Sequence, residues 1–287
     1  MPHLFWKNKM KALCYSLQDA HSWAEFSGDY NPVHFDLPWV QANGGERLSV
    51  HGMRALLDIK HFSSQQVSVS EIDANSDVKC VVRIRQPLWN NIEYSLVAGS
   101  KVGTSAILTA DDQKCITCNL SITEKTEVYS IKNAKKINAI ELVKKQELFD
   151  THFQQLPLWM FLDAVLFQYL IEDQTLFQQE NIAVWLPKDT TFKTLFSDYF
   201  VVQTHQELRF DPTLLQPQML EDKTVALNID IQPAIVTGTI DSGLLVCLSL
   251  VAEYQRKFIT SAITLKISST NNLNEGMTNE WLSNNLS

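Results

Sequence analysis

The sequence predicts an α+β chain made of two similar units in tandem. Three observations carry this. Capped helices precede a run of short strands instead of alternating with them, which separates α+β from a parallel βα fold. That order, helix and then strands, occurs twice along the 287 residues. Both halves also close on two adjacent strand-like runs, a repeat of architecture with little repeat of sequence. The expected units are 1–125 and 151–268, joined by a connector over 126–150 and followed by a polar tail over 269–287.

In the first unit, Ser16 with Asp19 three residues on is a capping box for a helix from Leu17 to about Phe26. Gly28 ends it. Asp29 to Pro32 is turn sequence, because Pro32 disfavours helical geometry at Asn31. Asp36 caps a short helix with Pro38 in its first turn, and Asn43-Gly44-Gly45 breaks it. Met53 to Phe62 reads as the long helix, with Met53, Leu56, Leu57 and Lys60 on one face. Strands follow at 78–85, 92–98, 105–109 and 115–122, separated by turn residues.

The connector is lysine-rich, with a strand expected near 128–131 and a helix near 139–149. The second unit opens on a strongly apolar helix, 158–170. Strand-like runs follow at 199–204, 206–210, 224–231, 234–240, 244–254 and 258–267. The tail is rich in Asn, Ser and Thr and reads as mobile.

Composition removes several classes of function. Apolar residues make up 45% and charged residues 20%, which is globular. A net charge of −8 argues against non-specific nucleic-acid binding. No apolar run reaches the roughly 20 residues of a membrane span. The best, 156–171, is interrupted by Asp163 and Gln168. Lysines at 7, 9 and 11 lack the apolar core of a secretory leader. The expected location is cytoplasmic, with the mitochondrial matrix as the alternative in a eukaryote. Five scattered cysteines read as free thiols. Cys115 and Cys118 have CxxC spacing, but in a strand they face opposite sides and no second pair accompanies them.

The chemistry concentrates in Phe26-Ser-Gly-Asp-Tyr-Asn-Pro-Val-His-Phe-Asp36 and Val50-His-Gly-Met53. Asp29 and His34, five residues apart on a turn, can share the acid and base roles of one proton transfer. Burial of the carboxyl would favour its neutral form. Asn31 can orient a water. The Gly52 amide, at a helix N-terminus, carries positive partial charge, and glycine admits a ligand to the backbone. Such an amide suits a thioester carbonyl becoming an enolate. No Ser, Cys or Lys has an activating partner. Two other readings stand beside this one. Asp-x-Asn-Pro also serves as a plain turn, and Asp29, His34, Asp36 and His51 offer oxygen and nitrogen to a metal, though in no familiar ligand spacing.

Ser27 to Asp36, together with Val50 to Met53, resembles the signature of MaoC-like dehydratases and (R)-specific enoyl-CoA hydratases (hydratase 2). The resemblance is good over 17–57 and looser through 123, including the run Val82-Arg-Ile-Arg-Gln-Pro87. It implies a tandem double hot-dog, each unit a curved antiparallel sheet around a central helix. It implies reversible hydration of trans-2-enoyl thioesters and dehydration of 3-hydroxyacyl thioesters, carried by coenzyme A or acyl carrier protein. Asp29 and His34 would be the catalytic pair, Asn31 would hold the water, and Gly52 would form the oxyanion hole. Tyr30, Pro32, His51 and Met53 would border the substrate. No metal or organic cofactor is implied. A non-catalytic acyl-thioester binder and a hot-dog thioesterase are the alternatives. Two stretches depart from the family pattern, Asn43 to Arg47 and Trp89-Asn90-Asn91, and bear on how a substrate gets in. Arg47, Arg54, Arg83, Arg85, Lys101 and Lys114 are candidates for the coenzyme phosphates.

The second half has no Asp-x-Asn-x-x-His, and His205 reads as structural. This half is expected to pair its sheet with the first and to wall an acyl tunnel. The chain would then be a pseudo-dimer with one site, with a homodimer of such chains as a further option.

Overall fold

The computed structural model describes residues 10–68, 72–73, 75–125, 129, 131–153, 156–217, 220 and 224–269. Helix α1, Leu17–Ser27, begins at the expected capping box. Ser16 Oγ accepts the Asp19 amide, and Asp19 accepts the Ser16 amide in return. It stops at Gly28, whose φ of 75° is left-handed and open to glycine. A 3-10 turn, Pro32–His34, is capped by Asn31, and α2, Leu37–Ala42, by Asp36. Helix α3, Gly52–Ser64, has no side-chain cap, so its first amides stay open.

Strands β2 (Ser76–Ile84), β3 (Glu93–Ala98), β4 (Thr104–Leu108) and β5 (Lys114–Glu124) lie where alternation and turn residues predict them. In the first half one strand was not foreseen: β1, Met10–Cys14, pairs with β3 at the sheet edge. Its residues are nearly all exposed, so it carries no apolar alternation to read.

The second half holds β6 (Lys135–Ile137), α4 (Ala139–Phe153) and α5 (Leu158–Glu172). Two short helices follow, α6 (Glu180–Ala183) and α7 (Phe192–Asp198). The strands are β7 (Tyr199–Phe210), β8 (Leu227–Ile231), β9 (Ile235–Thr237), β10 (Leu244–Tyr254) and β11 (Lys257–Ser269). The two runs expected at 199–204 and 206–210 are one strand with a bulge. The strand expected near 128–131 falls largely outside the described residues, as does the tail beyond 269.

Among the described residues, all eleven strands form one antiparallel sheet, in the order β1-β3-β4-β5-β2-β7-β11-β10-β8-β6, with β9 beside β10. The order is a palindrome of two five-strand units, joined where β2 pairs with β7 from Val78↔Phe210 to Arg83↔His205. Helix α3 packs on β4 and β5, and α5 packs on β11. This is the double hot-dog arrangement: one curved sheet wraps two central helices. α5 is buried almost all round, as an apolar helix without a polar face must be. The halves interlock, because Trp23 and Phe26 of α1 pack against Phe167 of α5 and Phe149 of α4.

Between α3 and α5 lies a buried polar knot. Lys60 Nζ is 2.6 Å from Asp163 Oδ2 and 2.6 Å from Gln206 Oε1. Gln206 Nε2 donates to Asp163 Oδ1 and to Ser261 Oγ. The other half thus supplies both polar partners that the buried Lys60 side chain needs. Among the described residues, no helix is long and apolar enough to cross a membrane.

Candidate active site

Local turn chemistry places Asp29 and His34. Asp29 Oδ1 accepts the Asn31 amide, and Asn31 Oδ1 accepts the Val33 amide. These two side-chain turns bend the chain so that Asp29, Asn31 and His34 are all buried beside one cavity. The segment before α3 closes the other side. Ser49 donates its amide to the Val33 carbonyl, and Val50 donates to Leu88.

His34 Nδ1 lies 2.8 Å from the Ser49 carbonyl, which can only accept, so Nδ1 carries the proton. The lone pair is then on Nε2. His51 Nε2 lies 3.0 Å from the Asp29 carbonyl, which fixes its tautomer in the same way. The two imidazoles stack with centroids 3.7 Å apart. His51 thus braces both catalytic candidates, holding the Asp29 backbone and the His34 ring.

Burial moves the two groups in opposite senses. It pushes the Asp29 carboxyl up to about 7, against the pull of the Asn31 amide. It holds His34 down to about 4, against the Ser49 carbonyl. His51 is held well below its usual range, first by burial and then by its neighbour His34. Because Asp29 Oδ1 already accepts an amide, the proton of the neutral acid belongs on Oδ2.

Gly52 opens α3 where the cavity meets the helix. A Cβ there would come within 2.8 Å of Gln203 Oε1 and 3.2 Å of Ile84 Cδ1, so any other residue would have to displace these two side chains. Its amide has no preceding turn to bond to and carries the positive end of the helix.

The cavity has a volume of about 390 Å³, within the range of small-molecule sites. Asp29, Asn31, His34, Gly52 and Met53 line it. His51, Tyr30 and Pro32 do not. His51 lies behind His34, and Pro32 starts the 3-10 turn. Tyr30 is 64% exposed, with its ring on Phe35. The two stretches that depart from the family pattern sit at the rim, where Asn43, Gly45, Arg47 and Trp89 contribute. The buried part is walled by the second half, through Phe167, Leu170, Phe192, Leu248 and Ile263.

Of the basic candidates for an anionic ligand, Arg47 lines the cavity. Arg54 is spent on Asp19 and Asp58, at 2.9 and 2.7 Å. For a metal, Asp29, His34 and His51 offer ligand atoms within 4.8 Å of one another, whereas Asp36 caps α2. Stacked rings send their in-plane lone pairs past each other instead of toward one point, which suits proton transfer better than coordination. Cys115 and Cys118 are both buried, because Cys115 sits in a bulge of β5. Cys118 meets Cys80 of β2 at 3.7 Å, not Cys115. His205 pairs in the sheet with Arg83 and Thr264 and does not line the cavity.

Among the described residues, fold and site together define a double hot-dog chain with a cavity lined by Asp29 and His34 at the N-terminus of a central helix. No family model matches the chain, and no curated protein does. Solved structures do match. A MaoC-like dehydratase is 10% identical, with 93% of this chain and 99% of that one covered and a TM-score of 0.44. A double-hotdog protein from Mycobacterium tuberculosis is 8% identical, covering 91% and 96%, with a TM-score of 0.47. A putative oleoyl thioesterase from Lactobacillus plantarum is 11% identical, covering 90% and 96%, with a TM-score of 0.40.

Proposed function

We propose that the protein hydrates trans-2-enoyl thioesters, and by the same site dehydrates (R)-3-hydroxyacyl thioesters. One observation carries this reading. Asp29 and His34 are buried at one cavity, where loss of water pushes the carboxyl up and holds the imidazole down, directly before an open helix amide at Gly52. In the hydration direction, His34 Nε2 takes a proton from a water held by the Asn31 amide group. The water oxygen adds to C3 of the substrate. The charge that develops on the thioester oxygen is met by the Gly52 amide. Asp29 delivers its proton to C2 from the same side, giving syn addition. The proton on His34 then returns to Asp29, and the site is reset. The acyl chain lies in the apolar part of the cavity, and the coenzyme or carrier arm leaves past Arg47 and Trp89.

Loss of enoyl-thioester absorbance with crotonyl-CoA and longer enoyl-CoAs tests this. Asp29→Asn and His34→Ala should each lower kcat by about 10²- to 10⁴-fold in folded protein. Full activity in both variants would overturn the reading. Release of free thiol without hydration would mark a thioesterase instead, and tight binding without turnover a binding module.

A further inference from the structure

The second half gives the site a side chain as well as a wall. Along β7 the residues directed to the core are Gln206, Leu208 and Phe210. That parity carried backward would bring in Thr204. Instead the register with β11 slips, from His205↔Thr264 to Gln203↔Leu265, and Thr204 is the extra residue. The bulge turns Gln203 inward, a familiar use of bulges beside sites. The seam between halves ends at Arg83↔His205, so Gln203 stands just past it, where the cavity opens.

There its amide lies over the first turn of α3. Its oxygen is the atom that a Cβ on Gly52 would strike, and its nitrogen is 3.6 Å from Met53 Sδ. Thioether sulfur is a weak acceptor, so the amide can turn over at small cost. The Gln203 amide thus stands beside Gly52, the first residue of α3. We propose that Gln203 is the second donor of the oxyanion site. A half-turn of the amide presents Nε2 to the thioester oxygen that the Gly52 amide already holds. This rests on the hydratase reading, and it makes the single site a product of both halves.

The test compares Gln203→Ala and Gln203→Met with wild type on crotonyl-CoA, after melting curves establish that each is folded. Loss of one oxyanion donor should lower kcat by about 10²- to 10³-fold, with little change in KM. A bound 2,4-dienoyl-CoA should absorb at longer wavelength in wild type than in either variant, because a second donor polarises the carbonyl. Unchanged kcat in both variants beside an active wild type would overturn this assignment and leave the hydratase reading intact. A rise in KM alone would make Gln203 a wall residue and overturn it equally. A wild type inactive on every thioester would remove the hydratase reading and this inference with it.

Discussion

A buried carboxyl and a buried imidazole answer the same loss of water in opposite ways. Each is driven to its neutral form, which keeps the proton on Asp29 and removes it from His34. Between about pH 4 and pH 7 the pocket therefore holds a neutral carboxyl beside a neutral imidazole. For hydration, kcat/KM should rise as His34 loses its proton near pH 4 and fall as Asp29 loses its own near pH 7. A pH–rate profile without an alkaline limb would contradict these roles. The acid also costs stability. A carboxyl raised from 3.8 to about 7 by folding destabilises the fold at any pH above its ordinary value, and most fully above 7. The cost is on the order of 4 kcal/mol at most. Asp29→Asn keeps the acceptor for the Asn31 amide but cannot ionise. It should unfold at higher denaturant than wild type at pH 8, with the advantage gone near pH 4. At this scale the sequence was readable where chemistry is local. Asp29, Asn31, His34 and Gly52 lie within two short stretches, and all four reach the cavity. His51 was assigned to the substrate, yet its neighbours are Asp29 and His34, and stacking leaves no trace in spacing. Gln203 gave no signal, because a single-residue bulge decides which way it points.

Helices α1 and α2 were legible from their ends, through Ser16 with Asp19, Gly28, and Asp36, and α3 from the face shared by Met53, Leu56 and Leu57. Helix α7 was missed. Its capping box uses Thr191 and Thr194, and its seven residues are too few for a period to show. Lys60 was placed on the apolar face of α3, but its partners were not legible, since they lie more than a hundred residues away on α5 and β7. Such a pair is costly to break and cheap to replace as a whole. Lys60→Met should lower stability by about 3–5 kcal/mol by leaving Asp163 buried and charged. Adding Asp163→Asn should recover most of that. Urea denaturation of the three proteins measures both effects, and equal losses in the single and double variants would contradict the account.

For the whole molecule, the tandem repeat of helix and strands was enough to expect two units. The β2–β7 seam was open to topology alone, because neither strand's sequence names its partner. The division of labour follows from that seam. The first half holds Asp29, His34 and the Gly52 amide. The second half, without a motif of its own, encloses the apolar end of the cavity. Leu248→Phe, on β10, should lower kcat/KM for long enoyl-CoAs by at least tenfold, about 1.4 kcal/mol, while sparing crotonyl-CoA. Equal effects on every chain length, measured by the same assay, would place the acyl group elsewhere.

The continuous sheet has a consequence for behaviour at low concentration. Two separate hot-dog subunits would share a site only while associated, so dilution would empty it. Here the partner unit is tethered by the connector, and its effective concentration is set by that tether and not by the amount of protein. The cavity between the halves therefore stays assembled in a cell that makes only a few copies. The half without a motif is kept at hand permanently, free to change its apolar wall as long as β7 still pairs with β2.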